Sequence, residues 1–202
     1  KTVSFPIDPR ARVMDALSVL RDMEGPDKPS FGKRVVVYGG GNTAMDVART
    51  AQRLGADEVT IVYRRTREKM PAHAFEIDAA IDEGVKIKFL VTIEKFEDKK
   101  LTLEKMELDA KGFPQATGKK ETMATDSVVL ALGQDIDAGF FDGISEIDAS
   151  KGFISVDARM MTDCPGVFAG GDIVPSDRTA TTAIGHGKKA ARSIDAWFRH
   201  VD

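Results

Sequence analysis

"KRVVVYGGGNTAMDVA", residues 33–48, joins an apolar run, three consecutive glycines and a helix-like segment. An unbroken run of β-branched residues is typical of a strand that is buried on both faces of a parallel sheet. After the glycines, Ala44, Val47 and Ala48 recur at helical spacing. The stretch therefore predicts a strand, a tight turn and a helix, which is how a βαβ unit begins.

The same alternation of strands and helices continues along the chain. A strand at 58–65 ("EVTIVYRR") is followed by a helix at 71–84 ("PAHAFEIDAAIDEG") and a third strand at 85–90 ("VKIKFL"). From residue 91, alternating residues with turn signals at "EDKK", "KGFP" and "TGKK" predict an antiparallel meander that forms a flap on the main sheet. The expected fold class is α/β: a Rossmann-like, doubly wound parallel sheet with an antiparallel β meander.

The segments that flank this core have their own patterns. Residues 9–24 predict a leading helix, and "GPDKPS" after them predicts a linker. Residues 126–134 predict a buried strand, 152–162 an edge unit, and 166–172 ("GVFAGGD") a strand that enters a second glycine turn. A long amphipathic helix is expected at 179–201. The apolar residues of that helix expected to face a core are Ile184, Ala191, Ile194 and Trp197.

Composition excludes several function classes. The net charge of -3 leaves no broad basic surface for nucleic acid or an acidic membrane, so neither is expected as a partner. Cys164 is the only cysteine, so this chain alone has no internal disulfide, CxxC pair or iron–sulfur ligand set. No apolar run reaches the roughly 20 residues of a membrane span. A reducing, cytoplasmic location is expected.

The first glycine turn has the spacing of a dinucleotide-binding site. Gly39, Gly41 and Ala44 fit GxGxxG/A between a predicted strand and helix. The first glycine permits the turn, the second lets the backbone approach a pyrophosphate, and the small third residue lets the helix pack on the strand. Asn42 and Thr43 are expected to cap the helix or donate to phosphate. The alternative is a glycine-rich turn that holds no ligand.

The end of the second strand indicates which nucleotide is bound. An acidic residue there would accept a hydrogen bond from a ribose 2′-hydroxyl, as in sites for NAD. This sequence instead has a basic cluster, Arg64, Arg65, Arg67 and Lys69. Guanidinium groups match the 2′-phosphate of NADP bidentately, so NADP(H) is favoured over NAD(H). The alternative is a solvated basic loop.

The second glycine turn, "FAGGD", ends in Gly170, Gly171 and Asp172. The Asp172 carboxylate can accept from a polyol hydroxyl, and the helix start near 179–183 can present its positive end to a polar ring edge. Those are the needs of the ribityl chain and pyrimidine edge of a flavin. A plain turn is the alternative reading of these residues.

No catalytic residue or metal site is expected elsewhere. The histidines, expected to be surface or helix residues, are His73, His186 and His200. Cys164 is expected to be a packed thiol. The acidic residues expected to be solvated on helix faces, rather than beside a nicotinamide, are Glu68, Glu76 and Glu83. Hydride transfer between a nicotinamide and a flavin needs no side-chain acid or base, because the cofactors carry the chemistry.

Three separated motifs carry a resemblance to a known family. They are "VVVYGGGNTAMDVARTAQRLGADEVTIVYRRTREKMPA", "VVLALG" and "VFAGGDIVPSDRTATTAIGHGKKAARSIDAW". From about Gly32 to the carboxyl end, the chain resembles the small (β) chain of glutamate synthase and its relatives, an NADPH-dependent flavoprotein module also present in dihydropyrimidine dehydrogenase. The resemblance implies a two-dinucleotide-binding-domain flavoprotein in which the NADPH domain is inserted into a split FAD domain.

The resemblance assigns domains and residues. The implied domains are a leading helix and linker at 1–32, an NADP(H)-binding domain at 33–133, and the C-terminal segment of the FAD-binding domain at 134–202. The residues implied at NADPH are Gly39, Gly41, Asn42, Thr43, Ala44, Arg64 and Arg65. The residues implied at the end of the NADPH domain, where the chain crosses back, are Ala131 and Gly133. Those implied at FAD are Gly171, Asp172, Thr181, Thr182 and Ala183.

The family pattern also includes parts that this sequence lacks. An amino-terminal FAD segment with its own glycine fingerprint, and cysteine-rich iron–sulfur ligands, are expected in a longer protein, so this chain is expected to be a fragment that holds FAD weakly. In the intact enzyme hydride would pass from NADPH to FAD, and electrons on to iron–sulfur clusters, a large catalytic subunit or another acceptor. The alternative is a pyridine-nucleotide-binding module without catalysis, acting as a sensor or docking domain.

Overall fold

The computed structural model describes residues 5–133, 143–149 and 152–200. The chain divides into two compact units, Lys1–Gly133 and Gln134–Asp202. The strands are β1 (Val13–Asp15), β2 (Arg34–Tyr38), β3 (Glu58–Tyr63), β4 (Lys86–Phe89), β5 (Val91–Glu97), β6 (Lys100–Leu108), β7 (Pro114–Ala124) and β8 (Ser127–Leu130). The helices are α1 (Ala16–Asp22), α2 (Asn42–Arg53), α3 (Ala74–Asp82) and α4 (Ala180–His200). Residues 134 and 201, included in predicted elements, and the His200 side chain lie outside the described residues.

A five-stranded parallel sheet forms the centre of the first unit. Its strand order is β1-β8-β2-β3-β4. In this sheet Tyr38 pairs with Val62 on one side and with Leu130 on the other. The strand predicted at the start of the 33–48 stretch, the strands predicted at 58–65 and 85–90, and the α/β fold class are confirmed. Because the strands are parallel, the loops that follow β2, β3 and β8 leave the same edge of the sheet.

The unbroken apolar runs are explained by two cores, one on each face of the parallel sheet. Alternate residues such as Val35, Val37 and Ile61 pack against the helices, where Met45, Val47 and Ala48 are fully buried. The residues between them belong to the second core, and the strand residues there are Val36, Val62 and Val128. The residues from the antiparallel sheet that pack on them are Val91, Ile93, Phe96, Leu101 and Leu103.

The meander is a separate three-stranded antiparallel sheet in the order β5-β6-β7. The prediction of a turn at "TGKK" was wrong, because these residues lie inside β7. The register shifts opposite Glu104 and Met106, and Gly118 takes a positive φ of 74° there. A bulge places glycine and polar residues inside a strand, so a local turn signal was misread.

Only part of the leading segment forms the helix that the sequence predicts. Residues Val13–Asp15 form an edge strand that pairs with β8, and the helix begins only at Ala16. Asp15 ends the strand and caps the helix, since its carboxylate accepts from Ser18 N at 3.0 Å. The helix predicted from 71 likewise begins at Ala74.

The second unit contains a 3-10 turn at Gly171–Ile173 and the helix α4. The predicted strand at 166–172 is reduced to a single bridge between Met161 and Phe168. In the part of the chain that the structure describes, no helix is long and apolar enough to cross a membrane.

Candidate functional site

The first two glycines of the turn are required by the packing of the chain itself. A Cβ on Gly39, whose φ is +154°, would lie 2.1 Å from the carbonyl oxygen of Ala131. A Cβ on Gly40 would lie 2.5 Å from ring atoms of Tyr63. Real Cβ atoms do not approach other atoms so closely, so the main chain and the tyrosine ring fill the space where side chains would be.

Gly41 differs from its two neighbours. Its φ of -91° and ψ of 175° are extended values that any residue adopts. The atom nearest to a Cβ built on it is Pro71 Cγ, at 4.0 Å. Among the described residues, therefore, neither backbone strain nor packing requires glycine at position 41. Open space in front of the second glycine of a GxGxxG/A turn is what close approach of a pyrophosphate needs.

The start of α2 presents unused hydrogen-bond donors. No side chain among the described residues caps this helix. Gly41 O accepts from Ala44 N at 2.9 Å, whereas the amides of Asn42 and Thr43 have no acceptor in the described part of the chain. Free amides and the helix dipole together favour an anion at this position. The third motif residue, Ala44, is completely buried, as close packing of the helix on the sheet requires.

Asn42 connects the glycine turn to the loop that follows β3. Its Oδ1 accepts a hydrogen bond from the amide of His73 at 2.9 Å, so its predicted role as a helix cap is not what the structure shows. A second link is made by the amide of Ala72, which donates to Gly40 O at 3.0 Å. The loop after β3 that carries Arg64, Arg65, Arg67 and Lys69, here called the basic loop, is thereby held directly against the glycine turn.

The four cations of the basic loop are not equivalent. Arg67 forms an ion pair with Asp78 on α3. Arg64 is exposed, and neither it nor Arg65 forms an ion pair with any residue that the structure describes. Arg65 is half-buried, and its Nε is buried with no hydrogen-bond partner. Arg64 and Arg65 are therefore the two arginines of this loop that have no carboxylate partner among the described residues.

Tyr63 shows that these two arginines lie close to the glycine turn. Burial raises the pKa of its hydroxyl, while the positive charges of Arg65 and Arg64 act in the opposite direction. The same hydroxyl donates to Lys69 O at 2.5 Å, and the ring packs on Gly40. The tyrosine thus fixes the path of the loop beside the turn.

The loop after β8 completes this edge of the sheet. Ala131 N donates to Tyr38 O at 2.9 Å, and its carbonyl oxygen faces Gly39. Gly133 has a positive φ of 84° and ends the first unit. An open approach at Gly41, unused amides and unpaired arginines at one edge fit a phosphorylated dinucleotide.

The second glycine turn is organised by a residue whose role the sequence did not reveal. His186 Nδ1 accepts from the amide of Gly171 at 3.1 Å, and a Cβ on Gly170 would lie 2.9 Å from His186 Cβ. Gly171 and His186 lie fifteen positions apart and in different elements, so no local spacing in the sequence signals this contact. Gly171 has a positive φ of 77°, and Asp172 is exposed.

The start of α4 is capped by Thr179. Its Oγ1 accepts from Thr182 N at 3.2 Å, and its carbonyl oxygen accepts from Ala183 N at 3.0 Å. Thr181 is exposed. The expectation that apolar residues of this helix face a core was wrong for two of them, since Ile184 is 60% exposed and Ala191 is also exposed. Ile194 and Trp197 are half-buried.

Two of the three acidic residues join helices. Glu83 bonds to Arg53 and Arg49 on α2, and Glu76 bonds to Arg49. The prediction that these carboxylates are only solvated was wrong for Glu76 and Glu83, because their arginine partners lie on a different helix, α2. Hydrogen bonds from Arg53 and then Arg49 lower the pKa of Glu83 from 4.5 to about 2. The third acid, Glu68, is exposed in the basic loop.

The chain belongs to the pyridine nucleotide-disulphide oxidoreductase family, whose model matches residues 3–187. It is 44% identical over 196 residues to the β subunit of an NADP(+)-dependent formate dehydrogenase from Moorella thermoacetica, covering 89% of this chain and 27% of that one. It is 40% identical to the glutamate synthase [NADPH] small chain of Escherichia coli (strain K12), covering 83% and 39%. The resemblance to glutamate synthase small chains is thus confirmed. The chain spans well under half the length of these relatives.

Solved structures show the same fold. A thioredoxin reductase from Lactococcus lactis superposes with a TM-score of 0.77 at 24% identity, covering 100% of this chain and 63% of that one. The thioredoxin reductase of T. acidophilum gives 0.74 at 21% identity, covering 96% and 59%. The two-dinucleotide-binding flavoprotein fold is confirmed. NADP(H) and FAD are the cofactors of this family, as expected from the sequence.

Proposed function

We propose that this chain is the NADPH-binding part of a flavin-dependent oxidoreductase. Its domains would be the segment at 1–32, which contributes β1, the NADP(H)-binding domain at 33–133, and the C-terminal segment of a split FAD-binding domain at 134–202. The chemistry that the bound cofactors would supply is hydride transfer from NADPH to FAD. The chain's own residues bind and orient the nucleotide, and none of them is assigned as an acid, base or nucleophile.

The observation that carries this proposal is the open approach at Gly41. The chain itself requires glycine at positions 39 and 40, yet at 41 the nearest atom to a Cβ is 4.0 Å away. The fold does not explain why position 41 is a glycine, whereas a ligand that approaches the backbone there does. The residues proposed to hold the pyrophosphate are Gly39, Gly41, Asn42, Thr43 and Ala44, with Ala131 and Gly133 closing the site.

Arg64 and Arg65 are proposed to bind the 2′-phosphate of NADP(H). Both follow β3 directly, beside the turn, and neither is neutralised by a carboxylate among the described residues. A phosphate brings the negative charge that these guanidinium groups lack, and their planar donors match its oxygens. NAD(H), which has a hydroxyl in place of that phosphate, would gain nothing from these charges.

In the second unit, a smaller set of residues is proposed to meet FAD. They are Gly171, Asp172, Thr181, Thr182 and Ala183. The exposed Asp172 carboxylate suits a hydroxyl donor, and the positive dipole end of α4, whose amides at Thr182 and Ala183 already bond to Thr179, suits a polar ring edge. Since only one segment of the flavin site is assigned to this chain, we expect tight FAD binding to need the rest of the longer protein.

The final electron acceptor, which receives electrons after FAD, is proposed to lie outside this segment. The relatives are named for different reactions: formate dehydrogenase, NADPH-Fe(3+) oxidoreductase and glutamate synthase. The segment that they share with this chain covers 27%, 30% and 39% of their lengths. We infer that it performs the step common to these proteins, oxidation of NADPH, and that iron–sulfur clusters or a partner subunit determine where electrons go.

Calorimetric titration of the 202-residue chain with NADP and NAD tests the proposal. We expect NADP to bind at least about tenfold more tightly, a difference of ~1.4 kcal/mol. The double variant R64A/R65A should lose this preference, whereas R192A, which removes an exposed arginine of the second unit, should keep it. Equal affinities of the parent chain for the two nucleotides would contradict the proposal.

A further inference from the structure

We propose that Phe113, in the turn between β6 and β7, is a positioning residue for Arg65, and that this turn thereby sets selectivity for a 2′-phosphorylated nucleotide. The inference rests on the proposed NADPH function of the same site. It adds a selectivity element from the antiparallel sheet, which the glycine and arginine motifs do not include.

The charge of Arg65 is held by an aromatic face. Its Cζ lies 5.6 Å from the centroid of the Phe113 ring, within the range of a cation–π interaction. No carboxylate pairs with Arg65 in the described residues, and its buried Nε has no partner. A cation–π contact does not pair the N–H donors of the guanidinium group with a carboxylate, so those donors that reach solvent remain for an anion.

The backbone of Arg65 is tied to the same sheet. Arg65 O accepts from Leu90 N at 3.2 Å, and Leu90 O accepts from Met106 N on β6 at 2.7 Å. Leu90 has a positive φ of 53°, which is unusual for a leucine and turns the chain from β4 into β5. Main chain and side chain of Arg65 are therefore both fixed by the sheet that carries Phe113.

The turn that presents Phe113 is itself held in one conformation. Asp109 Oδ1 accepts from the amides of Lys111 and Phe113, at 2.9 and 2.8 Å. The amide of Asp109 in turn donates to Phe113 O at 2.9 Å. Phe113 is 53% exposed, so its ring contributes little to a core, and its described ring contact is with Arg65. A fixed turn lowers the entropy lost when Arg65 is ordered for binding.

Substitutions in this turn test the proposal by the ratio of affinities for NADP and NAD. We expect F113A to weaken NADP binding about three- to fivefold and to leave NAD binding unchanged, since loss of a half-exposed cation–π contact has an effect of that size. F113W should retain the preference, because tryptophan is the better cation–π partner. D109A, which removes the carboxylate that holds the turn, should also lower the ratio of NADP to NAD affinity. Adenosine 2′,5′-bisphosphate should follow NADP in every variant.

F198A is the matched control, because Phe198 is 74% exposed on α4 in the other unit. We expect it to leave both affinities unchanged, and thermal unfolding checks that every variant is folded. An F113A chain that keeps the parent's NADP to NAD ratio, or loses both affinities equally, would overturn the role of Phe113. A parent chain with no preference for NADP would overturn the proposed function as well, so the two failures are distinguishable.

Discussion

The carbonyl oxygen of Ala131 occupies the space that a side chain on Gly39 would need, 2.1 Å from its ideal Cβ position. This contact joins the ends of β2 and β8 at the edge of the sheet where the glycine turn begins. Because the obstructing atom belongs to the main chain of a neighbouring strand, it cannot rotate away.

The first prediction follows from this contact. We expect G39A to lower the free energy of unfolding of the first unit by about 1–3 kcal/mol, the usual cost of forcing extra atoms into a packed site. Urea unfolding followed by circular dichroism measures the loss. G187A is the control, because a Cβ there meets no atom within 4 Å and alanine favours a helix. A G39A chain as stable as its parent would contradict the assigned packing.

Arg67 separates phosphate binding from a general effect of basic charge. Its guanidinium is paired with Asp78, so we expect R67A to change the ratio of NADP to NAD affinities by less than about twofold, within the range typical of surface substitutions. R64A alone should reduce that ratio clearly. Calorimetric titration of both variants gives the comparison. If R67A and R64A reduced the ratio equally, the loop would act as a diffuse basic surface.

The acid stability of the first unit should depend on Glu83. Since bonds from Arg53 and Arg49 lower its pKa from 4.5 to about 2, its carboxylate stabilises the fold fully above pH 4.5, and this contribution is lost as the pH falls toward 2. We therefore expect E83Q to lower the urea midpoint at pH 7 and to differ less from the parent at pH 3. E24Q, which removes an exposed carboxylate, is the control. A difference in urea midpoint between E83Q and the parent that does not change with pH would contradict this role.

How far the sequence predicts this molecule depends on the range of each interaction. The parallel strands were predictable because burial on both faces imposes long β-branched runs, and the glycine turn because its spacing is local. Strand β1 could not be predicted, since its three residues at the edge of the sheet are too few to show a sequence pattern. The bulge at Gly118 looks like a turn in sequence, and only its pairing with β6 reveals the strand.

Parts of the candidate site were hidden for the same reason. The bond from Gly171 N to His186 and the pairing of Glu83 with Arg53 join residues from different elements, so no local spacing signals them. The cation–π contact of Arg65 with Phe113 depends on the arrangement of two sheets. Residue type alone indicated a phosphate-binding loop, but the partners that divide its arginines into paired and unpaired ones appear only in the fold.

FAD binding is expected to be weak in this chain alone. Only the residues around Gly171 and the start of α4 are assigned to the flavin, and the proposal places the remaining contacts in a longer protein. We expect the purified 202-residue chain to lack a stoichiometric flavin in its visible absorbance spectrum. A yellow protein with one flavin per chain would show that this segment holds FAD by itself.

The most direct measurement of the central claim is the affinity of G41A for NADP. The backbone at Gly41 suits alanine and a Cβ has 4.0 Å of clearance, so the variant should unfold at the same temperature as the parent. If the turn holds a pyrophosphate, the added methyl group blocks its approach, and we expect at least about a tenfold loss of affinity, or ~1.4 kcal/mol, while G187A binds as the parent does. A folded G41A chain that binds NADP as tightly as the parent would contradict the claim.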